Sequence, residues 1–365
     1  MRGANAMSEP RILAINPGST STKIAVYDGE KVLFEKNIGH STAELSAFKD
    51  MADQFHFRKD IILQELRSAD IEPSTIAVIV ARGGLLKPVP SGVYSINELL
   101  LNDLREGIRI SQHASNLAGL IAFDLAGELP QTTAYVADPP VVDELDEVAR
   151  ITGHPLFVRK SRFHALNQKA VARKYARSIH RTYEELNLIV AHMGGGTSIG
   201  AHRKGLIIDV NDALDGEGPF TPERSGTLPA GDLARLCYSG QYTYDEVRKM
   251  LTGKGGLTAY LGTNDAREVE RRIAAGDQQA RLIMDAMIYQ VSKEIGAMFT
   301  VLKGDADAII LTGGIAHNAR ITDAIIERVR KLAPVIIYPG EDEMEALALN
   351  GLLVLRGEIR AKEYR

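Results

Sequence analysis

Two stretches of this chain repeat each other at a fixed distance. With Ile15 laid over Ala191 and no gap, an offset of 176, Gly18 meets Gly194, Ser21 meets Thr197, Thr22 meets Ser198 and Gly29 meets Gly205. Each stretch reads as strand, small polar turn, strand, Gly-containing turn and strand, with third strands at 31–38 and 206–210. The offset is close to half of the 365 residues. A chain that opens both halves with the same three-stranded meander is constrained to a duplicated domain with two facing loops. The first loop, Asn-Pro-Gly-Ser-Thr-Ser-Thr-Lys at 16–23, is longer than a hairpin needs, since two residues turn a chain.

The rest of each half alternates apolar runs with helical periodicity. Residues 74–82 and 132–139, and later 186–192 and 307–318, read as buried strands. Residues 97–108, 114–129 and 277–302 carry helical spacing. This predicts an α/β fold, with binding groups at the C-terminal ends of strands. The length allows two domains of ordinary size, each with its own core.

Composition narrows the function classes. Net charge is −4 and no basic block stands out, so no nucleic-acid partner is expected. The basic stretch at 159–181 is spaced like a solvated helix face. No apolar run is long enough to span a membrane, and no membrane partner is expected. The single cysteine, Cys237, excludes an internal disulfide and a Cys-based zinc site. The first residues lack an apolar signal core and read as a disordered leader before Arg11, with Met7 as the start and the cytoplasm as the compartment.

Three loops carry chemistry. Backbone N–H groups of a Gly-rich turn form an anion nest, to which Ser19, Thr20, Ser21, Thr22 and Lys23 add hydroxyls and a charge. Neither a Walker A loop nor a G-x-G-x-x-G loop is present. Two such loops on opposed domains suit a polyphosphate. A third segment, Ile-Leu-Thr-Gly-Gly-Ile-Ala-His-Asn-Ala-Arg-Ile at 310–321, runs from strand to helix and leaves room for a flat ring above its glycines. Spacing alone leaves each candidate a second role. Arg82 and Arg224 read as ion-pair partners, His164 as a core histidine, Asp138 before two prolines as a turn residue, and Glu343 as part of a solvated helix start.

Taken together these stretches resemble the acetate kinase family, of the acetate and sugar kinase, Hsp70 and actin superfamily, and within it the butyrate kinase branch. The resemblance runs from Arg11 over nearly the whole chain. It rests on the loop at 16–23 with Ala-Arg-Gly-Gly (81–84), Ala-Asp-Pro-Pro (137–140), Arg-Phe-His-Ala-Leu-Asn-Gln (162–168), His-Met-Gly-Gly-Gly-Thr-Ser-Ile (192–199), Pro-Glu-Arg-Ser-Gly (222–226) and Thr-Gly-Gly-Ile-Ala-His-Asn (312–318).

The resemblance implies two duplicated actin-like (ribonuclease H-like) domains with a nucleotide cleft between them. Domain I would be 1–143 with 345–365, and domain II 144–344. It implies ATP-dependent, magnesium-assisted, reversible phosphorylation of butyrate. Asn16 would align the phosphoryl group, with Ser19, Ser21 and Lys23 near it. Asp138 would lie at the carboxylate and metal end, and Glu343, or else Glu341, would order Mg²⁺. His164 would bond the phosphoryl oxygens and Phe163 line the acyl pocket. Arg224 would stabilise charge on the transferring group. His192 with Gly194, Gly195, Gly196, Thr197 and Ser198 would bind nucleotide phosphates, and Gly313, Gly314 and Asn318 would lie by adenosine. His113 falls near another substrate histidine of the family. Acetate kinases carry a histidine where this chain has Arg82 and an asparagine where it has Gly195. Their arginine falls on Ile79, which makes Arg82 the candidate replacement.

The partners implied are a small carboxylic acid and a second copy of the chain, in a dimer or a multiple of dimers. Two alternatives stay open. One is a kinase for acetate, propionate or isobutyrate, and the other is an ATP-driven binding or chaperone protein of the same superfamily.

Overall fold

The computed structural model describes residues 10–110 and 114–365. His113, and the leader apart from Pro10, lie outside the described residues. The chain forms two compact units, one of residues up to Val142 with Asp342–Arg365, the other Asp143–Glu341.

The first unit is built on a sheet of β1 (Arg11–Pro17), β2 (Ser21–Asp28), β3 (Lys31–Gly39), β4 (Ile76–Arg82), β5 (Val93–Ser95), β6 (Thr133–Ala137) and β12 (Lys362–Glu363), in the order β12-β5-β6-β4-β1-β2-β3. The second holds β7 (Asn187–Met193), β8 (Thr197–Arg203), β9 (Leu206–Val210), β10 (Ala308–Gly313) and β11 (Val335–Pro339), in the order β11-β10-β7-β8-β9. In each, an antiparallel meander (β1-β2-β3; β7-β8-β9) is extended by strands running parallel to its first member, β4 and β6 in one unit, β10 and β11 in the other.

The duplication shows in detail. β7 starts and ends 176 residues after β1. The hairpins differ by one residue, because Pro17 pairs with Thr22 but Met193 pairs with Thr197. The first turn is therefore residues 18–21 and the second residues 194–196. Both meanders carry a register shift at matching places, between Val26 and Tyr27 and between Ala201 and His202. The gapless offset read from the sequence thus holds for the first strands and slips by one in the second.

The central strands are buried on both faces, which is why they read as continuous apolar runs. In the first unit Leu13, Ile15 and Ile79 meet Ile62 and Leu66 of the helix Gln54–Ser68 and Leu117 and Ile121 of the helix Ser115–Glu128. On the opposite face the helix Glu343–Leu355 comes close enough that a Cβ on Gly351 would lie 2.7 Å from Val80 Cγ2. In the second unit Ile189 and Leu311 pack on Met284, Val291 and Ile295 of the helix Gln278–Val301. Leu188 and Ile310 pack on Val171 and Ala176 of the helix Ala165–Ser178. No helix among the described residues is long and apolar enough to cross a membrane.

Candidate active site

In the first unit, candidate residues gather where parallel strands end. Asn16 lies on β1 and Arg82 closes β4, and both reach one carboxylate oxygen at the start of the helix Glu343–Leu355. Asn16 Nδ2 donates to Glu343 Oε2 at 2.5 Å and Arg82 Nη1 donates to the same atom at 3.1 Å. The Glu343 side chain is only 4% exposed. Asp138 follows β6 with a left-handed φ of 36°, and its Oδ1 accepts from Ser91 Oγ at 2.6 Å and Gly92 N at 2.8 Å. Glycines of the Ala-Arg-Gly-Gly stretch allow close packing here. A Cβ on Gly83 would lie 2.4 Å from Pro139 Cβ, and one on Gly84 would lie 2.3 Å from Asn116 Oδ1.

The first loop is open on one side and clamped on the other. Ser19 and Thr20 are exposed and Ser21 is partly so. Lys23 turns to β3, where its Nζ ion-pairs with Glu35 at 2.8 Å.

In the second unit, the turn at 194–196 is the centre. His192, at the end of β7, is fully buried. Its Nδ1 lies 2.8 Å from Asn167 Oδ1, its Nε2 3.3 Å from Glu341 Oε1, and its ring stacks on His164 at 3.8 Å between centroids. Glu341 and Glu343 therefore serve different neighbourhoods, His192 and Asn16–Arg82 respectively. Phe163, before His164, is buried. Arg224 packs directly on the turn, since a Cβ on Gly196 would sit 2.1 Å from Arg224 Nη1. Arg224 Nη1 donates to the Ala213 carbonyl, and burial lowers the pKa of its guanidinium below the usual arginine range.

A cavity of about 780 Å³ opens beside this turn, lined by Gly194, Gly195, Gly314 and Asn318 together with Asn264 and Arg267. It thus joins the turn to the Gly-Gly segment in one pocket, of a size ordinary for a small-molecule site. The two glycines of that segment serve different ends. A Cβ on Gly313, whose φ is 88°, would lie 2.3 Å from the Met193 carbonyl oxygen, whereas Gly314 meets nothing within 4 Å and lines the cavity.

Behind His164 runs a chain of hydrogen bonds that fixes its tautomer. Gln168 Nε2 donates to the Ser198 carbonyl at 3.1 Å, so the amide nitrogen faces Ser198 and Oε1 faces away. Gln168 Oε1 then accepts from His202 Nε2 at 2.9 Å, and His202 Nδ1 accepts from the Tyr183 hydroxyl at 2.7 Å. Ser198 Oγ accepts from Gln168 Nε2 at 2.8 Å and from the His164 backbone N–H at 3.4 Å, which takes both its lone pairs and leaves the hydroxyl to donate to His164 Nδ1 at 2.9 Å. His164 so held carries its proton on Nε2, because the bond at one ring nitrogen sets the state of the other. Gln168→Leu is expected to move His164 toward the other tautomer, read from its ¹⁵N shifts, and to lower kcat about tenfold or more. An unchanged tautomer would remove Gln168 from that role.

Burial holds the pKa of His202 well below its ordinary 6.5. The folded chain keeps it neutral while the unfolded chain binds a proton as pH falls through about 6.5, so stability is lost below that pH. His40 is lowered in the same sense by burial and by Arg58. The melting temperature is therefore expected to fall between about pH 7 and pH 5, less steeply in His202→Gln. Equal slopes in the two proteins would contradict this.

The acetokinase family's profile matches residues 140–336. The chain is 57% identical over 355 residues to butyrate kinase 1 of Clostridium acetobutylicum, covering 97% of this chain and 99% of that one. The chain belongs to the acetokinase family. Butyrate kinase 2 of the same organism is 55% identical over the same shares. Among solved structures, the acetate kinase of Porphyromonas gingivalis matches with a TM-score of 0.76 at 19% identity, over 94% of this chain and 99% of that one. At that identity the likeness speaks for the fold.

Sequence reading of this acetokinase-family chain passed over Gln168, Asn264, Arg267 and Arg58. Gln168 lies four residues after His164, and that spacing on a helix was the available signal. Arg58 lies on the buried stripe Gln54, Arg58, Ile62, Leu66, where a charge among apolar positions was the signal. Asn264 and Arg267 reach the cavity from the start of the helix Ala266–Ala274, whose capping Asp265 and buried Val269 and Ile273 were the available signal.

Proposed function

We propose that this chain transfers the γ-phosphoryl group of ATP to the carboxylate of butyrate, giving butyryl phosphate and ADP, and runs the reverse. The observation that carries it is the 57% identity, over nearly the full length of both chains, to a butyrate kinase. A carboxylate is already a nucleophile. Its oxygen attacks phosphorus, the bond to the β–γ bridging oxygen breaks, and ADP leaves with that oxygen. No strong base is needed, and the obstacle is an anion approaching a polyanion, so positioning and positive charge carry the catalysis.

The residues fit those needs. His192 with Gly194, Gly195, Gly196, Thr197 and Ser198 would hold nucleotide phosphates, and Gly313, Gly314 and Asn318 the adenosine side of the cavity. Arg224 would carry charge to the transferring group, which suits an always-protonated fork. His164 would donate from Nε2 to a phosphoryl oxygen. Asn16, Ser19 and Ser21 would align the group, with Lys23, tied to Glu35, adding field rather than contact. Phe163 would border the acyl chain. Arg82 would face the acid's negative charge while it orders Glu343.

Mg²⁺ takes oxygen ligands, often one or two carboxylates completed by phosphates and water. The donors present fit that demand. Asp138 and Glu343 are buried carboxylates, the first held by Ser91 and Gly92 and the second by Asn16 and Arg82. No cluster of three or more His, Cys, Asp or Glu able to hold a metal occurs among the described residues. These two residues would hold the ion, which when bound offsets phosphate charge. A cytoplasmic location and a homo-oligomer belong to the same proposal.

The test is kcat/KM for acid-dependent ATP turnover across acetate, propionate, butyrate, isobutyrate and valerate. A maximum at the four-carbon straight chain supports the assignment. A maximum at another acid moves it to that acid, and slow acid-independent hydrolysis alone would favour an ATP-driven binding protein.

A further inference from the structure

Arg58 lies behind the first loop with no solvent exposure at all. A guanidinium has five N–H donors, and here each has an acceptor. Nε donates to Gln54 Oε1 at 3.0 Å. Nη1 donates to the Ser21 carbonyl and to Thr22 Oγ1, both at 2.9 Å. Nη2 donates to the Ser19 carbonyl at 3.2 Å and to Gln54 Oε1 at 2.9 Å. Every acceptor is neutral, and among the described residues no carboxylate pairs with Arg58. Burial alone draws its pKa down to about 10. A buried guanidinium is ordinarily paired with an anion, because burying an uncompensated charge is costly.

The loop's own geometry points to the anion. In a planar trans peptide the carbonyl and the following N–H point in opposite directions. With the Ser19 carbonyl drawn onto Arg58, the Thr20 N–H points away from it. On that outer side the Ser19 and Thr20 side chains are exposed and make no hydrogen bond with any described residue. Thr22 Oγ1, which accepts from Arg58, lies 2.8 Å from His40 Nε2, which ties the inner side of the loop down.

We propose that Arg58 is the positioning residue of the first loop: it turns the carbonyls of Ser19 and Ser21 inward, and its unpaired positive charge is the counter-charge for a phosphoryl group held on the loop's outer face. This rests on the phosphotransfer function proposed above. Arg58 acts through the loop and touches no reacting atom.

Gln54→Glu separates this role from a structural one. It sets a carboxylate on the guanidinium and keeps the bond geometry, so it stabilises the fold while cancelling the charge. The loop's affinity for inorganic phosphate, followed by NMR shifts of the Ser19 and Thr20 amides, is expected to fall about tenfold, and kcat/KM for butyryl phosphate by a similar factor. A higher melting temperature with both quantities at wild-type values would overturn the proposal and leave Arg58 a structural residue. Arg58→Lys is the second variant. It keeps a charge but loses the fork, and wild-type phosphate shifts at Thr20 in that variant would also overturn the positioning role. A wild-type protein that makes no butyryl phosphate, yet binds phosphate on this loop more tightly than Gln54→Glu, would sink the kinase assignment and leave the role of Arg58 standing.

Discussion

Arg224→Ala is expected to lower kcat for butyryl phosphate formation by at least about a hundredfold, with the melting temperature changed by only a few degrees. The expectation comes from where the guanidinium sits. It lies against the second turn, where a Cβ at 196 would displace it, and among the described residues its guanidinium donates to the Ala213 carbonyl. A charge held in a partly buried position beside a turn proposed to hold phosphates acts more strongly than the same charge in water. Its removal takes no apolar side chain out of the described core clusters. Arg224→Lys should recover only part of the rate, because a point charge cannot replace a planar fork. Near-normal turnover of Arg224→Ala, measured at saturating ATP and acid, would take the residue out of the site.

Glu343→Gln is the second large effect. One oxygen of Glu343 is gripped by both Asn16 and Arg82 at the ends of two neighbouring parallel strands. The amide keeps the shape and loses the charge. The expected result is a fall in kcat of about a hundredfold, with the Mg²⁺ concentration for half-maximal rate raised about tenfold. Those two changes separate a metal role from a purely structural one. A folded Glu343→Gln protein with the wild-type Mg²⁺ requirement would place the ion elsewhere. Glu341→Gln, at the other candidate glutamate beside His192, tests the alternative: a raised Mg²⁺ requirement there and not in Glu343→Gln would move the ion to Glu341.

The meanders were legible in the sequence because a strand-turn-strand unit is local and its glycines and hydroxyls mark the turns. The same locality explains the limits of that reading. The one-residue slip between the hairpins depends on how tightly each turn closes, which the Gly-Gly-Gly and Gly-Ser-Thr-Ser turns do differently. The helix Gln54–Ser68 was not read, because its buried face carries Gln54, Arg58 and Lys59 and the apolar stripe is broken. Lys23 looked like a loop cation, and the strand pairing that brings Glu35 to it lies outside local pattern. Arg224 against Gly196, and Glu343 against Asn16, are contacts across 28 and 327 residues that no spacing rule reaches. The His164 relay is of the same kind, since its bonds run from His164 to Ser198, Gln168, His202 and Tyr183, and only the placing of Gln168 four residues after His164 was visible beforehand. Gly313 was read as making room for a ring, and its immediate constraint is the Met193 carbonyl beneath it, while Gly314 faces the cavity.

The most direct measurement is ³¹P NMR of the wild-type protein with ATP, Mg²⁺ and butyrate. The account predicts an acyl phosphate resonance that grows with ADP in equal amounts, is absent without butyrate, and reverses to ATP when butyryl phosphate and ADP are supplied instead. Release of inorganic phosphate at the same rate with and without butyrate, and no acyl phosphate at any time, would contradict it.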